Sequence, residues 1–176
     1  METISNITIR ESEVSDALGI ATVHVKSWQK TYRGQVPDEY LNSLSIADRA
    51  SKLEKMIEEN REKKIHNFVI EEDKKIVGIL TVGKNTDDDL TPNVGQLYVI
   101  YIHPDHEGKG FGSMLMNKAI ETLKADGYTK VTLWVLDTNS KARSWYEHKG
   151  WKVEGKTKVD KRNGFDLNEV RYIIEL

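Results

Sequence analysis

Residues 97–116 read LYVIYIHPDHEGKGFGSMLM. Leu97, Val99, Ile100 and Ile102 make its first part apolar on both faces, as a central strand of a covered sheet must be. His103-Pro104 ends that strand, and Gly108, Gly110 and Gly112 follow within a few residues. Beyond them Phe111, Leu115, Ala119 and Leu123 recur at helical spacing up to about Asp126, and Gly127 suits the position just past a helix end. A helix that starts directly after a core strand offers unpaired N–H groups and the positive end of its dipole to an anion. Glycine lets that anion come close to the backbone, and Lys109 adds positive charge. The stretch therefore reads as a cradle for a diphosphate, or, on the glycines alone, as an ordinary glycine cluster at a helix start. It is not a Walker A loop, because Ser113-Met114 follow Gly112 where Lys-Ser/Thr is needed. It lacks the third glycine of the dinucleotide fingerprint, which would fall at Ser113, and Asp137 lies too far on for the acidic partner.

Outward from this stretch the chain alternates strands and helices. Residues 4–10 read as a first strand, and Ser12 or Ser15 as the cap of a helix with apolar face Ala17, Ile20, Ala21, His24, Val25, Trp28 and Tyr32. Gly34 and Pro37 break it. A short segment, 39–44, precedes a charged helix over about 46–63 that buries Leu53, Met56 and Ile57. Residues 67–71 and 75–82 read as a hairpin turning at Asp73-Lys74, and 85–93, with Asp87, Asp88, Asp89 and Pro92, as a solvated acidic loop. A strand over 130–136, a short helix from Asn139 to Gly150, and strands at 151–154 and 169–175 around a turn at Arg162-Asn163-Gly164 complete the order β-α-α-β-β-β-α-β-α-β-β. This predicts one α/β domain over residues 1–176 with a mixed sheet.

Composition narrows the function. Hydrophobic residues are 38%, charged residues 31% and the net charge is -2, an ordinary globular balance with no electrostatic case for nucleic acid. No apolar run approaches the roughly 20 residues that span a bilayer, and the first residues carry no signal-peptide core, so a cytoplasmic location is expected. The chain has no cysteine, which excludes thiolate catalysis and cysteine-bound metals. His103 and His106 flank a proline turn and make a poor metal pair, so no metal is expected.

The stretch resembles the signature of the GNAT superfamily of N-acetyltransferases: Gln/Arg, two residues, Gly, one residue, Gly/Ala, after a central strand and at a helix start. Glu107, Gly110 and Gly112 stand at those positions, with Glu107 a departure from the usual Gln or Arg, and Tyr101-Ile102-His103-Pro104 looks like the family's strand end. Asn139, Tyr146, Gly150 and Trp151 match a second family block, and residues 28–34 (WQKTYRG), with Pro37 after them, are similar to its substrate-side helices. The resemblance implies a mixed, mostly antiparallel sheet whose fourth and fifth strands splay apart, flanking helices, and acetyl-coenzyme A as cosubstrate.

It also implies roles. Gly108, Lys109, Gly110, Phe111, Gly112 and Ser113 would hold the diphosphate. Ile100, Tyr101 and Ile102 would pair with the pantetheine arm, an N–H near Ile102 polarising the thioester carbonyl as in an oxyanion hole. Asn139 would bind the arm or cap its helix, and Tyr146 would protonate the departing thiolate or pack as a core aromatic. By this resemblance the family's usual glutamate base falls at Gln96, which cannot take a proton. Tyr98, His103, Glu71 or a water chain remain for that task. Trp28, Tyr32, Tyr98 and Trp134 are candidates for the acceptor pocket, and Arg33 faces an acidic acceptor group or solvent. The acceptor is expected to be a small-molecule amine or a peptide N-terminus, with Asp87, Asp88 and Asp89 favouring a cationic one, and a homodimer is compatible. A catalytically silent acyl-coenzyme A sensor and another nucleotide-binding α/β domain are the competing readings.

Overall fold

The structure is a computed structural model that describes residues 5–176. The elements are β1 (Ile7–Glu11), α1 (Ala17–Thr31), α2 (Asp38–Ser43), α3 (Ile46–Glu62), β2 (His66–Glu72), β3 (Lys75–Lys84), β4 (Val94–Ile102), α4 (Phe111–Ala125), β5 (Lys130–Leu136), α5 (Ser140–His148), β6 (Lys152–Arg162) and β7 (Phe165–Glu175). Among the described residues seven strands form one sheet in the order β1-β2-β3-β4-β5-β7-β6. β4 and β5, joined through α4, pair parallel; the other neighbours are antiparallel.

Side-chain alternation along the strands sorts the core into two layers. Phe68 and Ile70 of β2, with Val131, Leu133 and Val135 of β5, pack against Phe111, Leu115, Ala119 and Leu123 of α4. Val69 and Ile79 face the other way, toward Ala17, Ile20 and Ala21 of α1 and Ala50, Leu53 and Ile57 of α3. A third cluster, Tyr32, Val36, Leu41, Leu136 and Leu167, ties α1 and α2 to the far end of β5 and β7.

The two central strands part soon after they meet. β4 and β5 pair only as Val94↔Lys130, Gly95↔Val131 and Gln96↔Thr132. Beyond that β4 stays with β3 up to Gly78↔Ile102 and β5 stays with β7 up to Leu136↔Glu169. The split has a local cause. Thr81 pairs with Val99 and Val82 with Leu97, so Tyr98 is an extra residue in β4. Such a bulge bends and overtwists its strand, here just past the last β5 partner.

Several sequence expectations shift. Ile4 lies outside the described residues, and β1 begins at Ile7. Neither Ser12 nor Ser15 caps the first helix. A 3-10 turn over Val14–Asp16 precedes α1, and the Asp16 carboxylate takes the Glu13 N–H at 2.7 Å. Met56 is 39% exposed and Ala50 takes its expected place in the core. β6 runs on to Arg162, well past residue 154, because it is an edge strand exposed on both faces and carries no apolar alternation to read. The acidic loop is not simply solvated. Arg171 of β7, 1% exposed, binds Asp89 at 2.7 and 2.9 Å and Asp87 at 3.1 Å, along with Glu154, while Trp134 Nε1 donates to Asp87 at 3.0 Å. Those carboxylates are spent on the fold and do not favour a cationic acceptor.

Candidate active site

A cavity of about 710 Å³ opens where β4 and β5 separate. Ile100, Tyr101 and Ile102 line it from β4, and Leu133, Trp134, Val135 and Leu136 from β5. His103 N–H bonds to Val77 C=O at 2.7 Å, toward β3. N–H groups alternate between the edges of a strand, so those of Ile100 and Ile102 turn toward the gap. The Ile102 carbonyl accepts from Ser27 Oγ at 2.9 Å, which locks α1 against this edge.

At one end of the cavity lie Gly108, Gly110, Phe111, Gly112 and Ser113. Gly108 and Gly110 have φ of 78° and 85°, left-handed values that a side chain resists. Gly110 immediately precedes α4, so the first N–H groups of that helix face the opening. Lys109 does not join them. Its ammonium turns to Glu72 of β2 at 2.9 and 3.0 Å, and Glu72 also holds His106 Nδ1 at 2.7 Å. Positive charge comes instead from residues the motif did not reveal. Lys149 donates to Ser113 Oγ at 2.7 Å, and Lys30 and Lys141 reach Glu107 Oε2 at 3.0 and 3.1 Å. Burial opposes ionisation of Glu107, but the two lysines outweigh it and hold the carboxyl below its usual range. With two lysines on one carboxylate, the mouth keeps a net positive charge.

Asn139 and Tyr146 line the cavity from α5. The Asn139 side-chain oxygen accepts from Ala142 N–H at 3.2 Å, so the residue does cap its helix. Tyr146, 8% exposed, packs its ring against Trp145, Trp151 and Tyr172, with centroids 5.3, 6.1 and 6.2 Å away. Burial, and then the nearby Tyr101, push its phenol above the ordinary value, so it stays protonated throughout the physiological range.

On the opposite face of the sheet, Trp28 of α1, Tyr32 at its C-terminal cap, and Tyr98 and Tyr101 of β4 line the same cavity. Trp28 and Tyr32 meet edge to face at 4.5 Å, and Trp28 Nε1 donates to the Tyr101 hydroxyl at 3.2 Å. His24 stacks on Trp28 at 5.8 Å, and burial pulls its pKa down to about 3, leaving it neutral. Arg33 is not part of this wall and points to Asp38 at 3.6 Å on the surface.

Of the candidate bases, three are poorly placed or already committed. Glu71 is bound by Arg10 at 2.6 Å beside β1, and His103 accepts the Asp105 N–H at 3.2 Å; neither lines the cavity. Tyr98 lines it, but its hydroxyl donates to the Lys84 carbonyl and burial pushes its pKa up to about 12. Gln96 accepts from Thr86 N–H and Oγ1, both at 3.2 Å, and so fastens the loop beyond β3 to the closed end of the strand pair. The cavity also has acidic residues that the motifs did not single out, Asp160 of β6 and Glu169 of β7.

Comparison with known proteins agrees with this geometry. Residues 25–151 match the model of the acetyltransferase (GNAT) family. The chain is 29% identical over 135 residues to the N-acetyltransferase YuaI of Bacillus subtilis, covering 76% of this chain and 73% of that protein. It is 29% identical over 157 residues to a spermidine N(1)-acetyltransferase of Thermoplasma acidophilum, covering 85% and 90%. Its fold is that of PaiA N-acetyltransferase from T. acidophilum, solved in complex with coenzyme A, with a TM-score of 0.74, 23% identity, and coverage of 97% of this chain and 99% of that one.

Proposed function

Since the chain belongs to the acetyltransferase (GNAT) family, and is thereby an acetyl-coenzyme A-dependent acyltransferase, we propose that it transfers the acetyl group directly to a primary amine, with both substrates bound at once in the β4–β5 gap. One observation carries this reading: a single cavity runs from the glycine turn before α4, through the split between the strands, to an aromatic wall on the other face of the sheet. The diphosphate rests on the N–H groups from Gly108 to Ser113, helped by Lys149 and Lys141. The pantetheine arm lies along β4 as an added strand, hydrogen-bonded by main-chain groups of Ile100 and Ile102, while those of Tyr101 stay with β3. Its thioester carbonyl takes an N–H on the gap side of β4, which stabilises the oxyanion as the amine attacks.

The nitrogen lone pair forms the new C–N bond, the C–S bond breaks, and the thiolate takes the Tyr146 proton. Burial suits Tyr146 to this, because it keeps the phenol in the protonated form that an acid requires. Trp28, Tyr32 and Tyr98 bound the acceptor. A likeness to a spermidine N(1)-acetyltransferase supports an alkyl amine as acceptor.

Thiol release from acetyl-coenzyme A, measured with a panel of amines and amino-terminal peptides, tests the reading. Steady release with at least one acceptor is expected, and Tyr146→Phe should lower turnover about 100-fold while coenzyme A affinity stays within twofold. Tight binding with no release for any acceptor would leave a sensor in place of an enzyme. An unchanged rate in Tyr146→Phe would remove that residue from the chemistry.

A further inference from the structure

The acceptor amine enters as an ammonium ion and must lose a proton before its lone pair can attack. Gln96, which by the family resemblance stands where a base would be expected, cannot take a proton and is committed to Thr86. The carboxylates lining the cavity are Glu107, Asp160 and Glu169. Glu107 stands at the diphosphate end between Lys30 and Lys141. Asp160 is bound by Arg162 at 2.8 Å. Among the described residues the ion-pair partner of Glu169 is Lys158, at 3.5 Å, and that lysine is 44% exposed and also sits over the Trp134 ring at 4.3 Å.

The position of Glu169 in the sheet is equally specific. Val170 and Ile174 of β7 pack with Tyr172 into the α4-side core. By strand alternation Glu169 faces the other way, the side on which Leu167 meets Tyr32 and Val36. Its register partner is Leu136, at the open end of β5 where the gap is widest. Glu169 lines the same cavity as Tyr32 and Tyr101, whose phenols are made harder to ionise by burial first and to a lesser extent by the Glu169 charge.

We propose that Glu169 receives the acceptor's ammonium group on the α1 face of the sheet and takes its proton, and that the acceptor is accordingly a cationic primary amine whose alkyl stem lies against Trp28 and Tyr32. This rests on the transferase reading above. One ammonium proton passes to Glu169 and on to solvent. The neutral nitrogen then attacks the carbonyl carbon, and the C–N bond forms as the C–S bond breaks. The thiolate takes the Tyr146 proton, and the nitrogen's second proton returns through solvent to Tyr146. The sum is ammonium plus thioester giving amide, thiol and one proton. Burial raises Glu169 above the ordinary carboxyl value and Asp160 reinforces the shift, while Lys158 and Arg162 of β6 oppose it. From the other elements Tyr32, just past α1, and Tyr101 of β4 line the same cavity, and the charge of Arg49 of α3 acts on Tyr101 from behind it. A carboxylate so placed is a better base than an exposed one.

The test is thiol release from acetyl-coenzyme A with spermidine as first probe, or with whichever amine of the panel the wild type turns over fastest, followed from acid to alkaline pH. The wild type should lose kcat/KM as pH falls through a value above 4.5, the ordinary carboxyl value. Glu169→Gln should lower kcat about 100-fold, abolish that acid limb and leave coenzyme A affinity within twofold, and Glu169→Asp should restore part of the rate. If Glu169→Gln keeps kcat within threefold with the same acid limb, or changes KM alone, Glu169 is not the base although the transferase reading stands. If the wild type binds acetyl-coenzyme A but releases thiol with no amine, that reading falls and this one with it. Should Glu169→Gln fail to bind coenzyme A, the wild-type profile decides: a rate unchanged down to pH values below the ordinary carboxyl range overturns the assignment.

Discussion

Gly110 carries two requirements at one position. Its φ of 85° is left-handed, which costs a residue with a Cβ about 1–2 kcal/mol. Its surroundings are nonetheless open, with no atom within 4 Å of where a Cβ would stand. An open space beside a strained backbone is what a site kept clear for an anion would need. Gly112, one residue into α4, differs: a Cβ there would make an ordinary contact, 3.4 Å from Trp145 of α5. Gly110→Glu adds strain and sets a carboxylate where the diphosphate should rest. It should weaken coenzyme A binding at least about 100-fold, a loss of about 2.7 kcal/mol, by titration calorimetry. A retained micromolar affinity would contradict the diphosphate assignment.

At the scale of elements, the loop between β3 and β4 is held down by a buried cation rather than left to solvent. Arg171 is 1% exposed and meets Asp87, Asp89 and Glu154, which come from two separate parts of the chain. Removing the guanidinium leaves Asp87, Asp89 and Glu154 facing one another without the charge that compensates them. Arg171→Ala should therefore lower the midpoint of thermal unfolding and free the loop to proteolysis. An unchanged midpoint would show that the loop is held without Arg171, by Gln96, by Trp134 on Asp87, and by Asn85, whose amide donates to the Gly95 carbonyl and Thr132 Oγ1. Hydrogen bonds from Arg171, set against a burial penalty and helped by Lys156, keep the Asp89 carboxyl below its ordinary 3.8. The sign follows: its stabilising contribution is complete above that value and is lost as pH falls through the lower folded one, so wild type and Arg171→Ala should converge in stability under strong acid. The same elements mark what the sequence could tell. Strand-turn-helix order, the α4 face, the hairpin turning at Asp73-Lys74 and the glycine turn were all legible, because periodicity and turn chemistry are local. The Lys109–Glu72, Lys149–Ser113 and Arg171–Asp89 pairings were not, because each joins residues far apart in the chain. Glu169 carries no local signal, because a carboxylate on the last strand reads as solvent-facing until the register places it opposite Leu136.

For the whole molecule, the cavity is a product of the fold and not of any one segment. Trp28 of α1, Ile102 of β4, Gly110 before α4, Tyr146 of α5 and Glu169 of β7 meet only when the sheet is assembled. An unfolded chain offers the cosubstrate nothing comparable, so binding must stabilise the native state by RT ln(1 + [L]/Kd), about 2.7 kcal/mol at a hundredfold excess over Kd. For a chain of 176 residues each kcal/mol moves the midpoint by about 2–4 °C, so saturating coenzyme A should raise it by about 5–10 °C. NAD and ATP share a phosphate chain with coenzyme A but lack the pantetheine arm. They can reach the glycine turn, yet cannot complete the open edge of β4 from Leu97 to Ile102, where the backbone has no β5 partner. Their shifts at the same concentration should be a small fraction of that of coenzyme A. Equal stabilisation by NAD would mean that the helix start alone does the binding, and the split between the strands would then need another purpose.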